Sequence, residues 1–375
     1  MHPLPTADAQ DLRVYLRYLS MTGGSDLFFS VGSPPALKVQ GIIRAMGLPP
    51  LAPGSVRQLA HSVMNEAQVA QFERDLEYDL AVVVEGAGRF RLNVFMQRGE
   101  VGLVARFVKD HIPSLAQLRM PAQLADLAML ERGLVLAVGA AGSGKSTTLA
   151  AMIDCRNAGA PGHILTVEDP IEFLHGYKRC VVDQREVGMD THTFADALRH
   201  AMREAPDVIM IGEIRDAETM QHALSYADTG HLCLSTMHAS NAAQAIERIV
   251  NFFPADARQR TLMDLSINLK GIIGQRLIHG RGGKLVPATE LMLQSPFIAD
   301  LIERGRIDDI TAAIGRSEPL GMHTFDQSLH ELFVASEITA EQAIEHADSK
   351  TDVALRIRLG AGAAAAGSDL SMQRG

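Results

Sequence analysis

The stretch Gly139-Ala140-Ala141-Gly142-Ser143-Gly144-Lys145-Ser146 constrains this chain more than any other. It satisfies the spacing G-x-x-x-x-G-K-S, follows an apolar run at residues 134–138 and precedes helix formers at 147–156, so it predicts a strand, a tight loop and a helix in succession. Glycines let the backbone curl until successive N–H groups and the positive end of the new helix converge on one anion. Phosphate is the anion that suits this geometry. Gly139, Ala140, Ala141, Gly142, Ser143, Gly144, Lys145, Ser146 and Thr147 then form a nucleotide cradle, in which Lys145 reaches the β- and γ-phosphates of ATP and Ser146 ligates Mg²⁺. A glycine-rich turn before an ordinary helix is the competing reading, and it accounts for neither the lysine nor the serine.

Further apolar strand candidates recur at 164–167, 208–211 and 232–235 with helical patterns between them, which predicts an α/β fold with a parallel sheet wrapped by helices. Open sheets of this kind bind ligands beyond the ends of their strands. The first of these ends is Thr166-Val167-Glu168-Asp169-Pro170-Ile171-Glu172, where Glu168 is a candidate to polarise water or hold Mg²⁺ through water; a solvated acidic loop is the alternative. The second is Gly212-Glu213, where a P-loop enzyme usually ends its strand in Asp. Glu213 is therefore the candidate for orienting or deprotonating the attacking water, with a helix-start carboxylate as the competing reading. Asp207, before the strand, is expected to be structural. The third runs from Thr229 to His238. Its two histidines, His231 and His238, make a poor metal site without a third ligand, and are expected instead to sense the γ-phosphate and couple it to movement.

The first 108 residues differ in character. One-sided helical spacing at 11–19 and 55–73, with strand candidates at 26–31, 36–39, 80–84, 90–95 and 101–107, predicts a small α+β domain. Residues 109–114, with Pro113, predict a linker; residues 115–359 form the larger domain. Residues 262–274 and the segments after Pro296 read as all-helical, and 360–375 as a low-complexity, disordered tail. Arg91, Arg98 and Arg106 lie in the strand meander, remote in sequence from the loop. In a ring of chains they are candidates to reach a neighbour's nucleotide as arginine fingers, against the plainer reading of solvated surface charge.

Composition narrows the partners. A net charge of −9, no Trp and 5% aromatic residues disfavour nucleic acid, which calls for clustered cations and stacking platforms. Cys155, Cys180 and Cys233 form no C-x-x-C pair and suit a reducing compartment. No secretory signal is expected, and no apolar run approaches the ~20 residues of a membrane span.

GAAGSGKSTTLA, VEDPIEF, APDVIMIGEIRD and TGHLCLSTMHASNAAQAIERIVNFFP together resemble the Walker A, Asp box, Walker B and His box of the secretion ATPase superfamily. GMHTFDQSL is similar to the PilT-type branch, the type IV pilus retraction motors, and QREVGMDTHTF and DSKTDVALRIRL resemble its PilU-like members. The resemblance implies a PAS-like N-terminal domain, a RecA-like P-loop ATPase domain with a helical C-terminal part, and a homohexamer. It also implies Glu168 and Glu213 as catalytic carboxylates, His231 and His238 as the His-box residues, and arginines acting across the subunit boundary. The implied partners are a PilT-type ATPase and a PilC-like platform protein. The implied place is the cytoplasmic face of the inner membrane at the pilus base. Assembly motors of the same superfamily carry a tetracysteine zinc insertion, which three scattered cysteines exclude.

Overall fold

The computed structural model describes residues 10–39, 41–109 and 111–359. Two compact units emerge. One comprises the described residues up to His111 together with Ile171–Leu174, and the other comprises Ile112–Pro170 and His175 onward.

The first unit has strands β1 (Asp26–Ser30), β2 (Ala36–Val39), β3 (Ile42–Ala45), β4 (Glu77–Val84), β5 (Gly88–Gln97) and β6 (Glu100–Val108), and helices α1 (Leu12–Met21), α2 (Ser55–His61) and α3 (Glu66–Asp75). The sheet runs β3-β2-β1-β6-β5-β4 with every pairing antiparallel. Leu12, Tyr15, Leu16 and Leu19 of α1 are all buried, as their spacing demands. On β5 Phe90, Leu92 and Val94 face the core, while Arg89 and Arg91 alternate to the other face. The single helix expected over 55–73 is two. The chain breaks between them because Asn65 caps α3, its side chain accepting from the Gln68 backbone while Gln68 reaches back to the Asn65 N–H. Strand β3, all of it exposed, was not foreseen.

The second unit begins with α4 (Gln123–Ala128), β7 (Gly133–Val138) and α5 (Lys145–Gly159), followed by β8 (Gly162–Glu168), β9 (Cys180–Glu186) and α6 (Phe194–Ala201). Then come β10 (Val208–Ile211), α7 (Ala217–Asp228), β11 (Leu232–Met237), α8 (Ala242–Phe252), α9 (Arg258–Asn268), β12 (Leu269–His279) and β13 (Leu285–Leu293). Helices α10 (Pro296–Glu303), α11 (Ile310–Arg316), α12 (Phe325–Val334) and α13 (Ala340–Glu345) follow.

Strand order in this sheet is β13-β12-β7-β11-β10-β8-β9, parallel throughout except for β13, which pairs antiparallel with β12. Every residue of β7 is buried, at roughly 2 kcal/mol for each fully buried Leu or Val side chain. Alternation sends Leu134, Leu136 and Val138 into the core under α7 and α8, and Val135 and Ala137 into the core under α5. Chain order reverses around β7, whose end therefore opens at a switch point of the sheet.

The all-helical expectation for 262–274 fails after Asn268, where β12 begins. Leu269, Ile272 and Ile273 form an apolar run buried on both faces, and periodicity alone does not separate such a run from a buried helix. Strand β13 was likewise unforeseen. The tail at 360–375 lies outside the described residues.

Candidate active site

The phosphate loop leaves the end of β7 and becomes α5. Gly139, Gly142 and Gly144 have φ of 155°, 76° and 93°, left-handed values that a side chain disfavours. A Cβ at Gly139 would also lie 2.5 Å from the Gln275 carbonyl oxygen and from Ser143 Oγ. No side chain caps α5, so its first-turn N–H groups point into the loop for an anion to take. Buried Ser143 Oγ has no hydrogen-bond partner. Lys145 Nζ donates to the Gly139 and Ala140 carbonyls at 2.9 and 2.8 Å, which folds the cation over the cradle. Ser146 and Thr147 are half-buried at the helix start. These features suit a bound phosphate.

A cavity of about 600 Å³ adjoins the loop, walled by Gly144 and Thr147 on one side and by Leu277, Arg281 and Pro287 of the β12–β13 hairpin on the other. That volume is within the range of small-molecule sites. The hairpin residues lie more than a hundred positions downstream, and no local signal marked them.

Two carboxylates close neighbouring strands. Glu168 ends β8 and is buried; its Oε1 accepts from Thr166 Oγ1 at 2.8 Å and from Gln184 Nε2 at 3.1 Å. Glu213 follows β10. Gly212, between strand and carboxylate, keeps the two strand ends close, because a Cβ there would lie 3.2 Å from Glu168 Cα and from the Val167 carbonyl oxygen. The Gly212 N–H donates to that same oxygen at 2.8 Å, which locks the two strand ends together. Glu213 Oε2 accepts from Arg215 Nε at 2.8 Å, and its Oε1 stands 3.2 Å from His238 Nε2. The bond to Glu213 raises the pKa of Arg215. Arg215 was an unassigned member of its segment.

The structure brings His238 to Glu213 and leaves His231 elsewhere. His231 sits at the start of β11, where its ring contacts the Tyr226 carbonyl at 3.3 Å and Thr229 Oγ1 at 3.2 Å. Its own carbonyl accepts from Gly133, the first residue of β7, at 3.1 Å. The extended six-residue strand β11 separates the two histidines by on the order of 20 Å, so within one chain His231 does not share a site with the phosphate loop. Asp207, at the same strand-start edge, accepts from the His163 N–H at 2.8 Å, a structural bond.

The three arginines belong to the first unit. Arg91 Nη2 stands 3.5 Å from Asp79 Oδ2, and Arg106 Nε donates to the buried Asp26 at 2.7 Å. Arg98 is exposed in the β5–β6 turn at φ 51°, a conformation costly for a side-chain-bearing residue. Among the described residues no group of three or more His, Cys, Asp or Glu suits a metal ion.

A glycine-shaped loop that runs from a strand of a parallel sheet into the uncapped start of a helix defines a P-loop nucleotide-binding fold. The sequence pattern of the Type II/IV secretion system protein family matches residues 64–354, and the chain belongs to that family. It is 49% identical to the type IV pilus ATPase PilU of Pseudomonas aeruginosa, covering 92% of this chain and 91% of that protein. It is 42% identical to the type IV pilus retraction ATPase PilT of the same organism, covering 90% and 98%. Its fold matches the crystal structure of the pilus retraction motor PilT with bound ADP at a TM-score of 0.84, with 40% identity over 90% of this chain and 97% of that one.

Proposed function

We propose that this chain is an ATP-hydrolysing motor that powers type IV pilus retraction, working as a PilU-like companion of a PilT-type ATPase. The observation that carries the reading is an uncapped phosphate loop after β7 and two carboxylates after β8 and β10, all at the strand-end edge of one parallel sheet, in a chain 49% identical to PilU over nine-tenths of both. The backbone of Gly139–Thr147 cradles the phosphates, and Lys145 leaves the Gly139 and Ala140 carbonyls for them. The Ser146 hydroxyl holds Mg²⁺, which when bound neutralises phosphate charge. Glu213 orients the attacking water and accepts its proton, Glu168 assists from the neighbouring strand, and His238 responds to the nucleotide through Glu213.

The working assembly is a homohexamer in which Arg91, Arg98 and Arg106 act on a neighbour's nucleotide, while His231 stands away from its own chain's loop. It operates at the cytoplasmic face of the inner membrane on a PilC-like platform protein. The functional divisions are 1–108, the linker 109–114 and 115–359. Engagement of both Glu213 oxygens by Arg215 and His238 favours a chain with low turnover until a partner or nucleotide rearranges the pair. Twitching assays test the whole reading: replacing the chain by Lys145→Ala in a piliated bacterium should impair retraction under load, and undiminished retraction contradicts it.

A further inference from the structure

Glu168 is held by a residue outside the four chemical motifs. Gln184 sits on β9, the edge strand, directly beside Thr166 of β8 in the parallel register, and Glu168 lies two residues on, on the same face as Thr166. The two neighbours therefore aim their donors at one oxygen: Thr166 Oγ1 reaches Glu168 Oε1 at 2.8 Å and Gln184 Nε2 reaches it at 3.1 Å. The other end of the amide is fixed too, because Gln184 Oε1 accepts from the His175 N–H at 2.8 Å. A flipped amide would set its NH₂ against that N–H and its carbonyl against the carboxylate, so the two bonds together define its orientation.

We propose that Gln184 is a positioning residue for hydrolysis, holding the Glu168 carboxylate in the orientation in which it acts. The inference rests on the reading of Glu168 as a working carboxylate. Two donors on one oxygen stop the carboxylate from turning about its last torsion, and they favour its ionised form over its protonated one. Thr166, fully buried within the strand, supplies one of these bonds rigidly. Gln184 supplies the other from a half-buried edge strand, tied through His175 to the segment that follows the carboxylate loop.

The test is ATP turnover by the full chain over a range of pH, comparing Gln184→Met, which keeps the length of the side chain and removes its polar end, with wild type and Glu168→Gln. The expected result for Gln184→Met is a fall in kcat of about tenfold, the rate equivalent of one charge-assisted hydrogen bond. KM for ATP should stay within about twofold. The acid side of the kcat profile should move to higher pH, which a merely structural role would not produce. If Gln184→Met does not fold, Gln184→Glu decides. It keeps the acceptor for His175 but sets a carboxylate against Glu168, so its turnover should be low at neutral pH and partly recover as the pH falls and the donor returns. Wild-type kcat and an unmoved profile in these variants, beside an inactive Glu168→Gln, overturn the inference alone. Full turnover by Glu168→Gln removes the reading of Glu168, and the inference with it.

Discussion

His238 Nε2 and Arg215 Nε approach opposite oxygens of the Glu213 carboxylate, at 3.2 Å from Oε1 and 2.8 Å from Oε2. The carboxylate that closes β10 is thus fixed from two sides, by a residue just after it and by one beyond the end of β11. Glu213→Gln keeps the shape of the group and removes its charge and basicity. We expect it to bind ATP as wild type does and to lose about a hundredfold or more in kcat, the usual contribution of a positioned base. Nucleotide binding measured beside steady-state hydrolysis checks both halves, and near-normal turnover would transfer the base role to another group.

Gly212 makes a second prediction possible. Its hydrogen stands where a Cβ would meet Glu168 Cα and the Val167 carbonyl oxygen, both at 3.2 Å and both backbone, which cannot swing aside as a side chain does. Gly212→Ala should therefore push the end of β10 away from β8. A loss of about 1–3 kcal/mol in stability is expected from such overpacking. Because Glu213 is the next residue, kcat should fall by more than the change in KM. Denaturant melts and steady-state kinetics measure the two effects, and an unchanged kcat would mean that the strand ends need not touch.

Glu290, fully buried on β13, gives a pH dependence. Its Oε1 accepts the Ala242 N–H at the start of α8 at 2.7 Å, and its Oε2 has no partner. Burial pushes its carboxyl up to about 7, helped by Asp348 and Asp326 and opposed by the Ala242 bond and Arg276. The folded chain therefore holds a proton that the unfolded chain releases. The stability this contributes is fully present below the ordinary value of 4.5 and is lost as the pH rises through about 7. Over the whole interval it amounts to on the order of 3 kcal/mol. Glu290→Gln, neutral at every pH, should gain in Tm over wild type between pH 5 and pH 8, and a difference in Tm that is constant across that range would refute the buried proton.

Arg98 tests action between chains. Exposed in its turn, it is proposed to serve a neighbour's nucleotide, so Arg98→Ala and Lys145→Ala should each lose most turnover alone. Mixed rings of the two variants should recover part of it, because some interfaces then combine an intact loop with an intact arginine. Absence of any recovery in verified mixed rings would assign Arg98 to the surface.

The fold class and the strand, loop and helix around residues 134–156 were legible in the sequence. The phosphate loop and the Gly212-Glu213 strand end announce themselves because their geometry is made within a few consecutive residues. Gln184, Arg281 and the strand β12 did not, since each acquires its role from a pairing partner far away in sequence: Gln184 from the register of β9 beside β8, Arg281 from the β12–β13 hairpin. The break between α2 and α3 was legible in principle, as Asn65 and Gln68 spell a capping box. The two histidines show the limit from the other side. They are seven apart and both polar, yet an extended strand carries them to its opposite ends.

ATP hydrolysis by the purified full chain, with the mass of the active particle determined in the same preparation and Lys145→Ala run alongside, tests the central claim most directly. The account predicts Mg²⁺-dependent turnover by a six-chain particle, low alone and raised by a PilT-type partner, and its loss together with ATP affinity in Lys145→Ala. Undiminished turnover in that variant would contradict the account, because the activity would then come from somewhere other than the phosphate loop.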